Sequence, residues 1–287
     1  MKKFNLTKRT LVLLSAALLI VTLLAGCAGG EDATTPSDNG GNSSDPIVVG
    51  MEISSDGVFE ARDENGDPWG VSVQILKDFG EYVGREIKIE NVAFDGLIPS
   101  LQTNKIDMSL SSMTITDARA EMVDFSDPYA NAYLAILASS GSNIGSVDDL
   151  NQSGKSVAVT TGSTGYNYAI QNLPDATVLS LSDAGACITE VIQGKADGFI
   201  RDQLSVYRAN QQNPDTTKAI LIPFQSAEHW GAAFPKGSDE LRTQFNEFLA
   251  FYKEDGGFDR ITEEYMSEYK TAFDELGFKW FFDFDEE

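Results

Sequence analysis

The chain has 287 residues, 21 Lys+Arg against 44 Asp+Glu, a formal net charge of −23, two cysteines and one histidine. So negative a surface excludes nucleic acid and anionic lipid as partners. His229 as sole histidine leaves a His-based triad or zinc centre without support, and two cysteines leave no disulfide framework.

The first 26 residues read as an export leader. Lys2, Lys3, Lys8 and Arg9 precede an apolar run over residues 11–25, the length of a signal-peptide core rather than a membrane span. The run ends in Leu24-Ala25-Gly26-Cys27, which looks like a bacterial lipobox, so Cys27 is the expected lipidation site. Residues 27–46 are rich in Gly, Ser, Thr, Asn and Asp without apolar periodicity. They read as a disordered tether whose reach is on the order of 25 Å. Cys187 is then alone, in an apolar helical pattern that suits a buried, inert thiol.

Residues 47–50 open the folded part as an apolar strand, and Asn65-Gly66 marks a hairpin with Phe59 and Trp69 on its arms. Asp63-Glu64-Asn65-Gly66-Asp67 fails the EF-hand pattern because its glycine stands fourth rather than sixth. Residues 70–83 have helical spacing and stop at Gly84, 86–91 alternate as a strand, and Asp95 is the expected cap of a helix carrying Pro99 in its first turn.

Residues 106–119 hold a short strand, then Ser111, Ser112, Thr114 and Thr116, then Arg119 near the start of a helix. Thr116 suits an N-cap. The stretch is either a capped strand-to-helix loop or a receptor for a small carboxylate built from hydroxyls, free N–H groups and one guanidinium. The resulting β-α-β-α-β order implies a parallel sheet with right-handed crossovers.

An extended crossover is expected over residues 133–138. Ser146-Val147-Asp148-Asp149 reads as a capping box. A strand over 156–160 then ends in Thr161-Gly162-Ser163-Thr164-Gly165 before a helix, in principle an anion cradle. A strand over 177–181, a helix over 183–193 and a strand over 196–200 repeat the α/β pattern. Arg201-Asp202 falls at a strand's carboxyl end, where ligands bind in open α/β sheets, though Asp202 also suits a helix cap. A strand over 218–223 and an extended return over 226–234 precede the helical residues from Ser238. The aromatic and then acidic tail 278–284 is expected to pack on the first lobe.

Six ordered motifs over about 47–269 resemble the type II periplasmic-binding-protein fold, in its amino-acid-binding family of ABC-transporter receptors. They are Phe94-Asp95-Gly96-Leu97-Ile98-Pro99; Lys105-Ile106-Asp107; Ser112-Met113-Thr114 with Arg119; Val123-Asp124-Phe125-Ser126-Asp127-Pro128-Tyr129; Gly162-Ser163-Thr164; and Phe234-Pro235-Lys236-Gly237. The resemblance implies two α/β lobes, each a mostly parallel sheet flanked by helices: 47–135 with 228–287, and 136–227. It implies a monomeric lipoprotein at the outer face of the cell membrane, without cofactor or metal, passing a polar amino acid to a permease.

By the same resemblance, Arg119, the Thr114 N–H, Ser163 and Thr164 take the ligand carboxylate. Asp202 and the Ser112 carbonyl take its ammonium, and Phe94 stacks on its side chain. Glu52 keeps an acid where the family has one. The aromatic usual in that loop is absent unless Phe59 or Trp69 substitutes, so the side-chain pocket departs from the pattern, with Glu52 and Asp56 suiting a cationic or amide group. A receptor for another carboxylate or oxyanion is one alternative. A dehydratase of the same fold, with Glu52 or Asp202 as its acid, is another, distinguished by turnover of a prephenate-like substrate.

Overall fold

The computed structural model describes residues 45–54 and 57–283. The leader, Cys27, most of the tether and Asp56 lie outside them. Among the described residues no helix is long and apolar enough to cross a membrane, and no His, Cys, Asp and Glu group could hold a metal ion.

Two five-stranded sheets form the body. In the first, Ile47–Met51 runs parallel to both Ile87–Asn91 and Met108–Ser109, as the β-α-β-α-β order requires. The sheet is completed by Ala233–Phe234, which returns from late in the chain and pairs antiparallel with Met108–Ser109 and Asp124–Phe125. The helices Val71–Val83 and Asp239–Glu254 cover one face. Their aromatic side chains interlock there, Phe79 lying edge-on to Phe245 with centroids 5.0 Å apart. The Val71–Val83 helix ends where expected, Gly84 adopting φ 68°.

The helix expected to begin after an Asp95 cap begins two residues earlier, with Ala93 at the cap position. Phe94–Gln102 is helical, Asp95 sits in its first turn, and Pro99 falls inside it. An acid there still meets the positive end of the helix.

The second sheet has Ser156–Thr160 parallel to Thr177–Leu181 and Gly198–Asp202, and Leu134–Ser139 antiparallel to Gly198–Asp202 and Thr217–Ile220. Here the structure corrects the expected crossover over 133–138. Leu134–Ser139 is a wholly buried strand, flanked by strands on both edges and helices on its faces. The connections between the sheets are instead Ala130–Ala132 and Glu228–Trp230, which pair antiparallel with each other. Alternating burial along Glu228–Trp230 turns Glu228 and Trp230 to one face and exposes His229 between them.

The capping box at Ser146 forms half-way. Asp149 accepts from the N–H groups of Gly145 and Ser146, but the short 3-10 helix Asp148–Leu150 has no side-chain cap. Gly257–Leu276 is the last helix, and the chain then turns back so that Trp280 and Phe281 are buried in the first sheet's core, as the tail's composition suggests. Cys187 is fully buried, and burial pushes its thiol up to about 12.

Candidate functional site

Two adjoining cavities, one larger than the other, share Ser112, Arg201, Asp202 and Trp230 in their walls. Arg201, Asp202 and Trp230 stand at strand ends and Ser163 and Thr164 at a helix start, where the backbone leaves unpaired polar groups.

Arg119 lies in the four-residue helix Asp117–Ala120, whose N-cap Thr116 accepts from the Arg119 N–H at 3.3 Å. Its side chain folds inward and is buried. Nη1 donates to the Thr114 carbonyl at 2.6 Å and Nη2 to the Gly162 carbonyl at 3.0 Å, joining the first sheet's loops to the turn after Ser156–Thr160. Phe94 lies against the guanidinium, 5.3 Å from ring centre to Cζ. Burial lowers the Arg119 pKa to about 10, against the pull of Glu228. A guanidinium has five N–H donors, so two bonds to carbonyls leave three for an anion.

The turn facing Arg119 has Gly162 at φ 75°, which glycine adopts without steric cost. Ser163 caps the helix Thr164–Asn172, accepting from the Tyr166 N–H at 3.1 Å. The first N–H groups of that helix open onto the smaller cavity, the position where helix ends receive anions. Thr164 and Thr114 both donate their hydroxyls to Glu228 Oε2, at 3.0 and 2.8 Å. What either threonine offers a carboxylate is therefore its N–H. The Thr114↔Trp230 bridge uses the N–H groups of Ile115 and Gly231, leaving that of Thr114 outside it.

Asp202, at the end of the neighbouring strand Gly198–Asp202, is buried and caps the helix Gln203–Gln212. Its carboxylate accepts from the Ser205 N–H at 2.9 Å and hydroxyl at 2.8 Å. Asp202 is thus the helix cap that the sequence allows, and a capping carboxylate keeps acceptor positions free for a cation. Arg201 Nε stands 3.4 Å from its Oδ2.

The larger cavity also carries Glu60, an acid that sequence reading did not single out as a site residue. Glu60 is buried and accepts from the Ser72 hydroxyl at 2.6 Å and the Ser112 hydroxyl at 2.9 Å. Burial raises its pKa to about 7 despite those bonds and despite Arg201. Ser112, at φ 49°, is held in the left-handed region by this bond and by its N–H to the Tyr129 hydroxyl at 3.2 Å. Glu52 lines the same cavity, and its Oε1 has no hydrogen-bond partner among the described residues. Burial raises its pKa also.

Phe59 reaches this cavity from the core, with its ring edge-on to Trp230 at 5.2 Å and tilted against Phe281 at 5.5 Å. Trp69 is half-exposed against Tyr265, and neither cavity includes it. Glu60, Arg201, Glu228 and Trp230 are among the wall residues not foreseen as site residues. The Glu-His-Trp alternation was a usable signal for two of them, since one buried face of a strand takes residues i and i+2.

Two α/β layers joined by paired crossover strands, with a polar cleft of helix starts, one inward arginine and several inward acids, define a two-lobed solute receptor. Residues 47–268 match the family of bacterial extracellular solute-binding proteins, family 3, and the chain belongs to that family. It is 30% identical over 228 residues to the ABC transporter glutamine-binding protein GlnH of Bacillus subtilis, a match spanning 78% of this chain and 82% of the relative. It is 28% identical over 213 residues to a probable histidine-binding protein of Neisseria gonorrhoeae, covering 73% and 79%.

Among solved structures, an ancestral arginine-binding protein bound to arginine superposes with a TM-score of 0.73 at 32% identity, over 78% of this chain and 100% of that one. An ancestral amino acid-binding protein, described as a precursor of cyclohexadienyl dehydratase, gives 0.69 at 31%, over 77% and 94%. The fold is the two-lobed type II periplasmic-binding fold.

Proposed function

We propose that this protein captures a polar α-amino acid in the cleft and delivers it to the permease of an ABC transporter, without chemical turnover. The observation that carries the reading is the gathering of unlike charges from both sheets in one cavity, Arg119 from the first and Asp202 with the Ser163-Thr164 helix start from the second. Arg119, the Thr114 N–H and the Ser163 and Thr164 turn take the α-carboxylate, and Asp202 with the Ser112 carbonyl takes the α-ammonium. Phe94, Phe59 and Glu52 face the side chain. An oxyanion has no use for Asp202, and a sugar none for Arg119. Each charged hydrogen bond in such a desolvated site contributes about 1.5–3 kcal/mol.

The names of the relatives support an amino-acid ligand, since those proteins are described as binding glutamine, histidine or arginine. In this reading the protein is a monomer, held at the outer face of the cell membrane by lipid on Cys27. The two lobes close about the paired crossover strands Ala130–Ala132 and Glu228–Trp230, driven by ligand contacts made only in the closed state.

A thermal-shift screen against the amino acids tests this. A ligand at 100 times its dissociation constant adds about 2.7 kcal/mol of stability, and Arg119→Ala removes the response while the unliganded protein stays folded. Near-normal calorimetric affinity in that variant rejects the site.

A further inference from the structure

The family match ends at residue 268, yet the chain continues into a buried aromatic segment. After the helix Gly257–Leu276, Gly277 at φ 74° turns the backbone, and the segment 278–283 runs to the connection between the two sheets. There it meets both crossover strands. The Asn131 N–H donates to the Phe281 carbonyl at 2.7 Å, and Asn131 Nδ2 to the Asp283 carbonyl at 2.9 Å. Asn131 Oδ1 in turn lies 2.8 Å from His229 Nδ1 on the partner strand. One asparagine thus ties the end of the chain to Ala130–Ala132 and Glu228–Trp230 together.

Beneath these bonds, the Phe281 ring packs on Trp230 at 5.6 Å and on Phe59 at 5.5 Å. Trp230 lines both cavities and Phe59 the larger. Trp280 anchors the segment from behind, edge-on to Phe273 at 5.8 Å and donating Nε1 to the Thr262 hydroxyl at 3.1 Å. Aromatic contacts of this kind add about 0.5–1.5 kcal/mol each beyond the area they bury. The segment therefore touches both connections between the sheets among the described residues and, through two rings, the cleft wall.

We propose that residues 278–283 form a strap over the hinge, positioning Trp230 and Phe59 in the cleft wall and restraining the crossover strands, and so set the ligand affinity. The affinity half rests on the binding reading above; the restraint on the hinge does not. A population of open and closed forms responds to any contact that differs between them. A strap on the pivot has such a contact.

Two variants of the full chain test this. Phe281→Ala removes the ring between Trp230 and Phe59. Asn131→Ala cuts the side-chain ties to Asp283 and His229 while leaving the aromatic cluster whole, and decides the matter if the first variant does not fold. Hydrogen exchange without added ligand is expected to accelerate by roughly tenfold in Ala130–Ala132 and Glu228–Trp230, and to stay unchanged in Gly198–Asp202. Phe281→Leu is expected to restore most of the protection.

Calorimetry with L-arginine, L-glutamine and L-histidine, each alone, is expected to show the dissociation constant of whichever binds moving by about fivefold or more. Unchanged exchange at the crossover strands overturns the strap. Equal acceleration throughout the second sheet overturns it too, because that marks general destabilisation. Altered exchange with unaltered affinity overturns the link to the cleft. Wild-type protein that binds none of the three probes counts against the proposed function, while the exchange experiment still decides the strap.

Discussion

Thr164 and Glu228 are joined across the cleft by a 3.0 Å hydrogen bond, from the first turn of a second-sheet helix to a crossover strand. The same carboxylate oxygen accepts from Thr114 at 2.8 Å, and the other accepts from Gln225 Nε2 at 3.0 Å. Glu228 therefore gathers loops of both lobes around the arginine side of the site. Glu228→Ala leaves the buried Thr114 hydroxyl and the partly buried Thr164 hydroxyl without an acceptor. The expected loss is about 1–3 kcal/mol, read as a lower urea midpoint at unchanged slope. Wild-type stability in that variant means that the threonines find other partners.

Gly165 fixes how closely the Thr164–Asn172 helix approaches the second sheet. A Cβ at this position would meet the Ile200 carbonyl at 2.7 Å, a backbone atom that cannot rotate away. Gly165→Ala must lift the helix start, together with the N–H groups proposed to hold the carboxylate. Overpacking of this kind typically costs 1–3 kcal/mol, roughly 2–4 °C in Tm per kcal/mol for a domain near this size. Ligand affinity is expected to fall with it. A variant with unchanged Tm and affinity shows that the turn at Gly162 absorbs the shift.

Most elements were legible because their signals are local. Alternation marks Ile87–Asn91, and Thr116, Ser163, Asp183 and Asp202 each cap the helix that follows. Arg119, Thr164 and Asp202 could be singled out as candidates for the same reason: they stand at or near helix starts, where capping patterns are local. Leu134–Ser139 was not legible as a central strand, since six consecutive apolar or small residues carry no period. Asp95 looked like a cap because an acid in the first turn and an acid before it differ by one or two positions. The buried acids depend on tertiary pairing. Glu228 is satisfied by Thr114, 114 residues away, and Glu60 by Ser112, 52 away, and no local pattern encodes such partners.

Cys27 lies outside the described residues, and its lipidation rests on the Leu24-Ala25-Gly26-Cys27 pattern. Cys27→Ser in the native host is expected to move the protein from the membrane fraction to the medium, followed by immunoblot. One acyl signal alone holds a protein weakly, whereas two chains hold it stably. Retention of the variant at the membrane means that the leader remains as an uncleaved anchor.

Glu60 makes the protein's stability depend on pH in an unusual direction. Burial raises its carboxyl from 4.5 to about 7, outweighing the bonds from Ser72 and Ser112 and the charge of Arg201. Between those two values the folded state binds a proton that the unfolded chain has released, so this group's contribution falls as pH rises through that window. Most acids that gain a cation on folding do the reverse. The size of the effect is on the order of 3 kcal/mol at complete ionisation. Glu60→Gln keeps an acceptor for both serine hydroxyls and cannot ionise. It is expected to match wild type near pH 5, to exceed it in Tm near pH 8 by several degrees, and to flatten the decline between. Parallel Tm profiles for the two proteins from pH 5 to 8 rule out Glu60 as the source, leaving Glu52 and Glu228, both also raised by burial, to be tested in the same way.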